Sequence, residues 1–211
     1  MSGTGEEDAG PIAVVFVGGF GDRFSRLVAG YAFGPEGFAR AHPTLQVTFF
    51  AWTQRQELLA FVRRQPSAIR LRVAGHSYGA DTAAQLAARL GKEGRALDLL
   101  LTADPVSRRS RPDLARVRQG ARRWINLNAT GGGPFEPSNV VARIGGAWRR
   151  DPHPFADACL DHPVPHAHFA ALLRCRLPDG RTAEQALADP EPIAFRASPA
   201  DRTPPSGRRT R

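Results

Sequence analysis

Lysine is almost missing from this chain: Lys92 is the only one, although Lys and Arg together number 29 in 211 residues. The basic character, a formal +9, is therefore arginine. A GC-rich genome imposes such a bias on any protein, and the charge by itself would also suit nucleic acid or phospholipid headgroups. Nucleic acid is disfavoured, because no recognised binding motif and no interleaved aromatic-basic stretch accompanies the charge. Much of the excess lies at the end, where residues 196–211 hold five Arg against one Asp. A charged, proline-containing end of that kind predicts a solvated tail.

Cysteine is scarce too. Cys159 and Cys175 are the only two, and neither belongs to a C-x-x-C pair or a His/Cys cluster. That argues against a zinc site, and no metal or cofactor is expected. No apolar run approaches the roughly 20 residues that span a bilayer. The start, MSGTGEEDAGP, lacks the basic and apolar regions of a secretory signal. These absences predict a cytoplasmic protein with two reduced thiols, a leaderless export route leaving no mark in the sequence.

What is present is a rhythm of short apolar runs and helical stretches. "IAVVFVGG" (12–19), "LQVTFFAW" (45–52), "AIRLRVAG" (68–75), "ALDLLLTAD" (96–104) and "RWINLNA" (123–129) read as strands. Their continuous β-branched and aromatic character suits strands buried on both faces. Between them, 54–64, about 79–91 and 111–121 read as helices, 22–41 as a mixed segment, 130–165 as a long Gly/Pro-rich loop, and 166–175 as a late helix. Such alternation predicts an α/β fold, a mostly parallel central sheet of about five to six strands flanked by helices. Residues 11–195 are expected to form that domain, with a flexible 1–10 and a basic tail at 196–211. In parallel sheets, ligands sit at the carboxyl ends of the strands.

One such end carries Gly75-His76-Ser77-Tyr78-Gly79, the G-x-S-x-G pattern of a nucleophile elbow. An apolar strand enters it and a helix of small residues leaves it, so Ser77 is expected to be a nucleophile. A plain strand-to-helix turn is the competing reading. A serine hydroxyl needs a base to take its proton and an acid to orient that base. Asp104 follows the next strand and suits the acid, with a turn-forming Asp-Pro as its plainer reading. His76 is set aside as lying inside the elbow, and His42 as preceding the serine. His153, His162, His166 and His168 follow in the order Ser…Asp…His, and His166 stands where a proline-rich loop meets a helix. For the oxyanion hole, the backbone of Tyr78 is expected as one donor. Phe20, with Gly19 next, is expected as the other, from "VGGFGD" at 17–22.

Together these stretches resemble small bacterial lipase-like members of the α/β-hydrolase family. The series "FVGGFGDRFS" (16–25), "GHSYGADTA" (75–83), "DPVS" (104–107), "WINLNA" (124–129) and "HAHF" (166–169) runs in the order of that set over about 150 residues. The resemblance implies a minimal sheet without the two leading strands of larger hydrolases. It also implies a metal-independent serine hydrolase acting on a small-molecule or lipid ester, with Ser77 as nucleophile, Asp104 as acid, His166 as base and His168 as the alternative base. Two positions depart from the pattern: His168 stands where Asp is usual, and Asn139 where Asp would be expected. An acid required at position 139 would break the triad. This motivates the alternative, a hydrolase-fold binding protein without turnover.

Overall fold

A computed structural model of the chain describes residues 10–107, 111–149 and 151–191. The readings of the first nine residues and of the basic tail lie outside these. In chain order the elements are β1 (Ile12–Gly18), α1 (Asp22–Ser25), α2 (Leu27–Phe33), α3 (Phe38–Ala41), β2 (Gln46–Ala51), α4 (Arg55–Arg64), β3 (Arg70–His76), α5 (Tyr78–Lys92) and β4 (Leu99–Ala103). They continue with α6 (Leu114–Gln119), β5 (Trp124–Ala129), α7 (Pro137–Ile144), β6 (Ala158–His162), α8 (Phe169–Leu173) and α9 (Ala183–Ala188).

The strands form a single sheet in the order β2-β1-β3-β4-β5-β6, with every pair parallel. This is the parallel central sheet of about five to six strands, flanked by helices, that the sequence predicts. Period-two alternation explains why helices cover both faces. On β1, Val14 and Phe16 join one core with α2, α3, α8 and α9, while Ala13, Val15 and Val17 join another with α4, α5 and α6. Phe16 is fully buried and packs edge-on against Tyr31, Phe38 and Phe169. Burying a side chain of that size stabilises by about 2–3 kcal/mol. No helix among the described residues is long and apolar enough to cross a membrane.

The stretch expected as a long loop, 130–165, holds two elements. Pro137 at the first helical position and Glu136, whose carboxylate accepts from Asn139 N–H, start α7. β6 then pairs with β5 as the sixth strand. Its residues ACLDH are only partly buried, and its sequence lacks the apolar run that marks the central strands. Cys159 and Cys175 are not joined in a disulfide.

Candidate active site

β3 ends at His76 and α5 begins at Tyr78, which leaves Ser77 as the single residue turning the corner. It does so at φ 55° and ψ −124°, a strained conformation that costs on the order of 1–3 kcal/mol and persists only where the surroundings enforce it. Here they do. Ser77 N–H donates to the Ala103 carbonyl at 3.0 Å, and the Ser77 carbonyl accepts from Ala80 N–H at 3.0 Å and Val106 N–H at 3.3 Å. The flanking glycines are required by close approach. A Cβ on Gly79 would lie 2.1 Å from the Val17 carbonyl oxygen, and one on Gly75 would lie 2.4 Å from that of Gly79.

The loop after β1 closes on the same corner. A Cβ on Gly19 would stand 2.9 Å from that of Ser77, so the Gly19–Phe20 backbone runs directly beside the serine. Asp22 fixes this loop, because its buried carboxylate accepts from the Val28 N–H at 2.6 Å and the Ala29 N–H at 3.3 Å at the start of α2. Tyr78 N–H belongs to the first turn of α5 and has no acceptor within the helix. The Phe20 and Tyr78 rings meet edge-on at 6.1 Å.

Asp104 follows β4 with a positive φ of 42° and is held by its own N–H, which donates to the Leu127 carbonyl at 2.6 Å. One carboxylate oxygen accepts from Ala129 N–H at 3.2 Å, and the other meets His166 Nδ1 at 2.5 Å. Both residues are buried. His166 sits between β6 and α8, where no sheet ladder holds its main chain. Its N–H donates to Asn139 Oδ1 at 2.9 Å, and its carbonyl lies 2.7 Å from His76 Nε2.

Ser77, His76 and His166 line one cleft of about 250 Å³, together with Gly19, Phe20, Leu27 and Val141. Phe20, Leu27 and Val141 are partly or largely exposed, so its mouth is apolar. Among the described residues no hydrogen bond joins Ser77 Oγ to His166; the two side chains share the cleft. His168 is exposed, caps α8 through its main chain and does not line the cleft. His153 and His162 do not line it either.

Three groups carry roles that the sequence reading did not assign. His76, set aside as lying inside the elbow, stacks on the His166 ring at 4.8 Å. Burial, and secondarily the neighbouring His166 ring, push its pKa down to about 4. Asn139 meets the main chain of His166, accepting its N–H, while the ring of His166 meets Asp104. Asp81 of the "GADTA" stretch is buried on α5 and accepts from Ser107 Oγ at 2.5 Å and Gln85 Nε2 at 2.6 Å, while Trp148 Nε1 donates to the same Ser107 Oγ at 2.5 Å. Burial pushes the Asp81 pKa up, partly offset by these donors and by Arg55. That cluster ties α5 to the segment after β4 that begins with Asp104. The repeated Asp and Ser of the quoted motifs were the signal, but their spacing does not reveal that they meet.

No family model matches the chain, and no curated protein matches it. Among solved structures, the chain is similar to the NocB thioesterase domain from the Nocardicin cluster, at 17% identity over 76% of this chain and 90% of that one, with a TM-score of 0.44. It is similar to the type II thioesterase BorB from the borrelidin biosynthetic cluster, at 15% identity over 77% and 88% of the two chains, TM-score 0.43. Zea mays acyl-protein thioesterase 2 is similar at 12% identity over 81% and 89%, TM-score 0.44.

Proposed function

We propose that this protein is a serine hydrolase that cleaves a carboxylic ester or thioester through Ser77, His166 and Asp104. The observation that carries the reading is one buried arrangement. A serine in a strained strand-to-helix corner shares a cleft with a histidine whose other ring nitrogen sits 2.5 Å from a carboxylate. A structural turn has no need of that histidine-carboxylate pair beside it.

Ser77 Oγ attacks the acyl carbon while His166 Nε2 takes the hydroxyl proton. Asp104 holds Nδ1–H and stabilises the imidazolium that results. The carbonyl electron pair moves onto oxygen and is met by the main-chain N–H groups of Tyr78 and of Phe20 or Gly19, at the positive end of α5. As the tetrahedral species collapses, His166 returns its proton to the departing alcohol or thiol. Water, deprotonated by the same imidazole, then releases the acid from Ser77. The apolar side chains of Phe20, Leu27 and Val141 at the cleft mouth suit an apolar acyl group. The alternative, a binding protein without turnover, rests on the departures at Asn139 and His168. Asn139 supports the base through its amide, so its departure from Asp is no sign of a lost acid.

The test is a fluorophosphonate probe with the labelled peptide identified by mass spectrometry. Wild type is expected to be labelled at Ser77, with labelling lost in Ser77→Ala and reduced at least about a thousandfold in His166→Ala. A folded protein that takes no label would sink the proposal.

A further inference from the structure

We infer that His166 is set for proton transfer by three side chains rather than one: Asp104 on its ring, and Asn139 and His76 on its main-chain N–H and C=O, the latter two being positioning residues of the reaction. The inference rests on the reading of Ser77, Asp104 and His166 given above.

A general base must lie within about 2.6–3.2 Å of the atom whose proton it takes, and a misplacement of about 1 Å can cost about a hundredfold. His166 lies between an edge strand and a short helix, so no sheet ladder fixes it. Asn139 supplies what is missing. Its Oδ1 accepts from His166 N–H at 2.9 Å, while its Nδ2 donates to the carbonyls of Gly131 at 2.7 Å and Gly133 at 2.9 Å. One acceptor and two donors are the full capacity of an amide on these partners, and a carboxylate could supply only the first. The two carbonyls also fix which way the amide faces. Beside it, Ser138 Oγ accepts from Ala167 N–H at 3.1 Å, so consecutive residues of α7 grip consecutive residues of the base segment.

His76 closes the clamp from the opposite side. Its Nε2 faces a carbonyl oxygen at 2.7 Å, so this nitrogen carries the proton and donates. The ring also stacks on His166, with an interplanar angle of 32°, and packs against Phe169 at 5.5 Å. His76 immediately precedes Ser77. The chain step that bears the nucleophile therefore also holds the base, and the separation of the two is set through one buried imidazole. Burial holds its pKa down to about 4, so that imidazole is neutral at neutral pH and its Nε2 proton stays on the carbonyl.

The experiment measures kcat and KM on p-nitrophenyl butyrate, and the fluorophosphonate labelling rate, for wild type, Asn139→Asp, His76→Phe and His76→Gln. Rates are referred to the folded fraction measured by near-ultraviolet circular dichroism. Asn139→Asp keeps the acceptor for His166 N–H but turns a carboxylate on two carbonyls, and kcat is expected to fall at least about tenfold with KM within about twofold. His76→Phe keeps the stacked ring and loses the donor, with a similar fall. His76→Gln, whose amide N–H can reach the same carbonyl, is expected to recover part of it. Single variants that keep kcat within twofold of wild type, or a loss that vanishes once the folded fraction is counted, would overturn the positioning roles and leave the triad standing. A folded wild type with neither label nor turnover would instead overturn the triad and this inference with it.

Discussion

Ser77 and His166, the proposed nucleophile and base, are held in place by different means. Ser77 is positioned by main chain: a strand ladder on one side, a helix on the other, and glycines through which the Val17 and Gly79 carbonyls come too close for any side chain. His166 is positioned by side chains reaching from three other segments, those of Asp104, Asn139 and His76. The difference matters for failure. Main-chain placement breaks by unfolding, whereas side-chain placement can be detuned while the fold survives.

Asp104 belongs to both schemes, since its positive φ and its N–H bond to Leu127 set its backbone while its carboxylate orients His166. Asp104→Asn should therefore have the largest effect on turnover and little on the fold. A neutral amide would favour the wrong imidazole tautomer, and kcat is expected to fall about ten-thousandfold. Steady-state kinetics beside a thermal melt check this. A fall below tenfold with the melt unchanged would remove Asp104 from the acid's role.

Stability sharpens the contrast further. Gly79→Ala places a methyl 2.1 Å from a carbonyl oxygen of β1, a clash no rotamer relieves, and is expected to cost about 3 kcal/mol or more. Asn139→Ala leaves the His166 N–H and two loop carbonyls without their partner, and is expected to cost about 1–2 kcal/mol because part of that loop is open to water. Urea denaturation of the two variants reads the difference. Equal losses would mean that the base segment is as rigidly built as the elbow.

The same contrast explains what could be read from the sequence. Backbone features leave local marks: the glycines around Ser77, the apolar runs of β1, β3, β4 and β5, and the small residues of α5 all announced themselves. Side-chain networks leave almost none, because their members are far apart in the chain. Asn139 is 27 positions from His166, and Ser107 is 26 from Asp81. From its place inside the elbow, His76 is expected to point its side chain away from the nucleophile's position. The sharp turn at Ser77 instead leaves both residues lining one cleft. β6 is hidden because ACLDH puts Asp and His in the strand, whereas the other edge strand, β2, keeps the apolar run QVTFFA.

His76 also gives the comparison a pH axis. Its pKa falls from 6.5 unfolded to about 4 in the folded protein. Between those values the unfolded chain binds a proton that the native state refuses, so stability rises with pH across the window and falls as the solution is acidified. By linkage the loss from pH 6.5 down to 4 could reach about 3 kcal/mol, levelling off below. Urea midpoints measured across that range should show it, and His76→Phe should flatten the slope there. An unchanged slope in the variant would mean that other groups carry the acid sensitivity.

The smallest effect should come from the histidine that the sequence offered as the alternative base. His168 is exposed, its side chain makes no cap bond to α8, and it does not line the Ser77 cleft. Its main-chain groups, by contrast, are used: the N–H donates to Pro165 and the carbonyl accepts from Leu172 N–H, each at 3.0 Å. Alanine can make both of those bonds. His168→Ala is thus expected to leave kcat and KM within about twofold and stability within about 0.5 kcal/mol. A large loss of kcat here, with His166→Ala still active, would transfer the base to position 168. It would also require the α8 end of the segment to swing inward, releasing the Asn139 and His76 bonds that now hold His166.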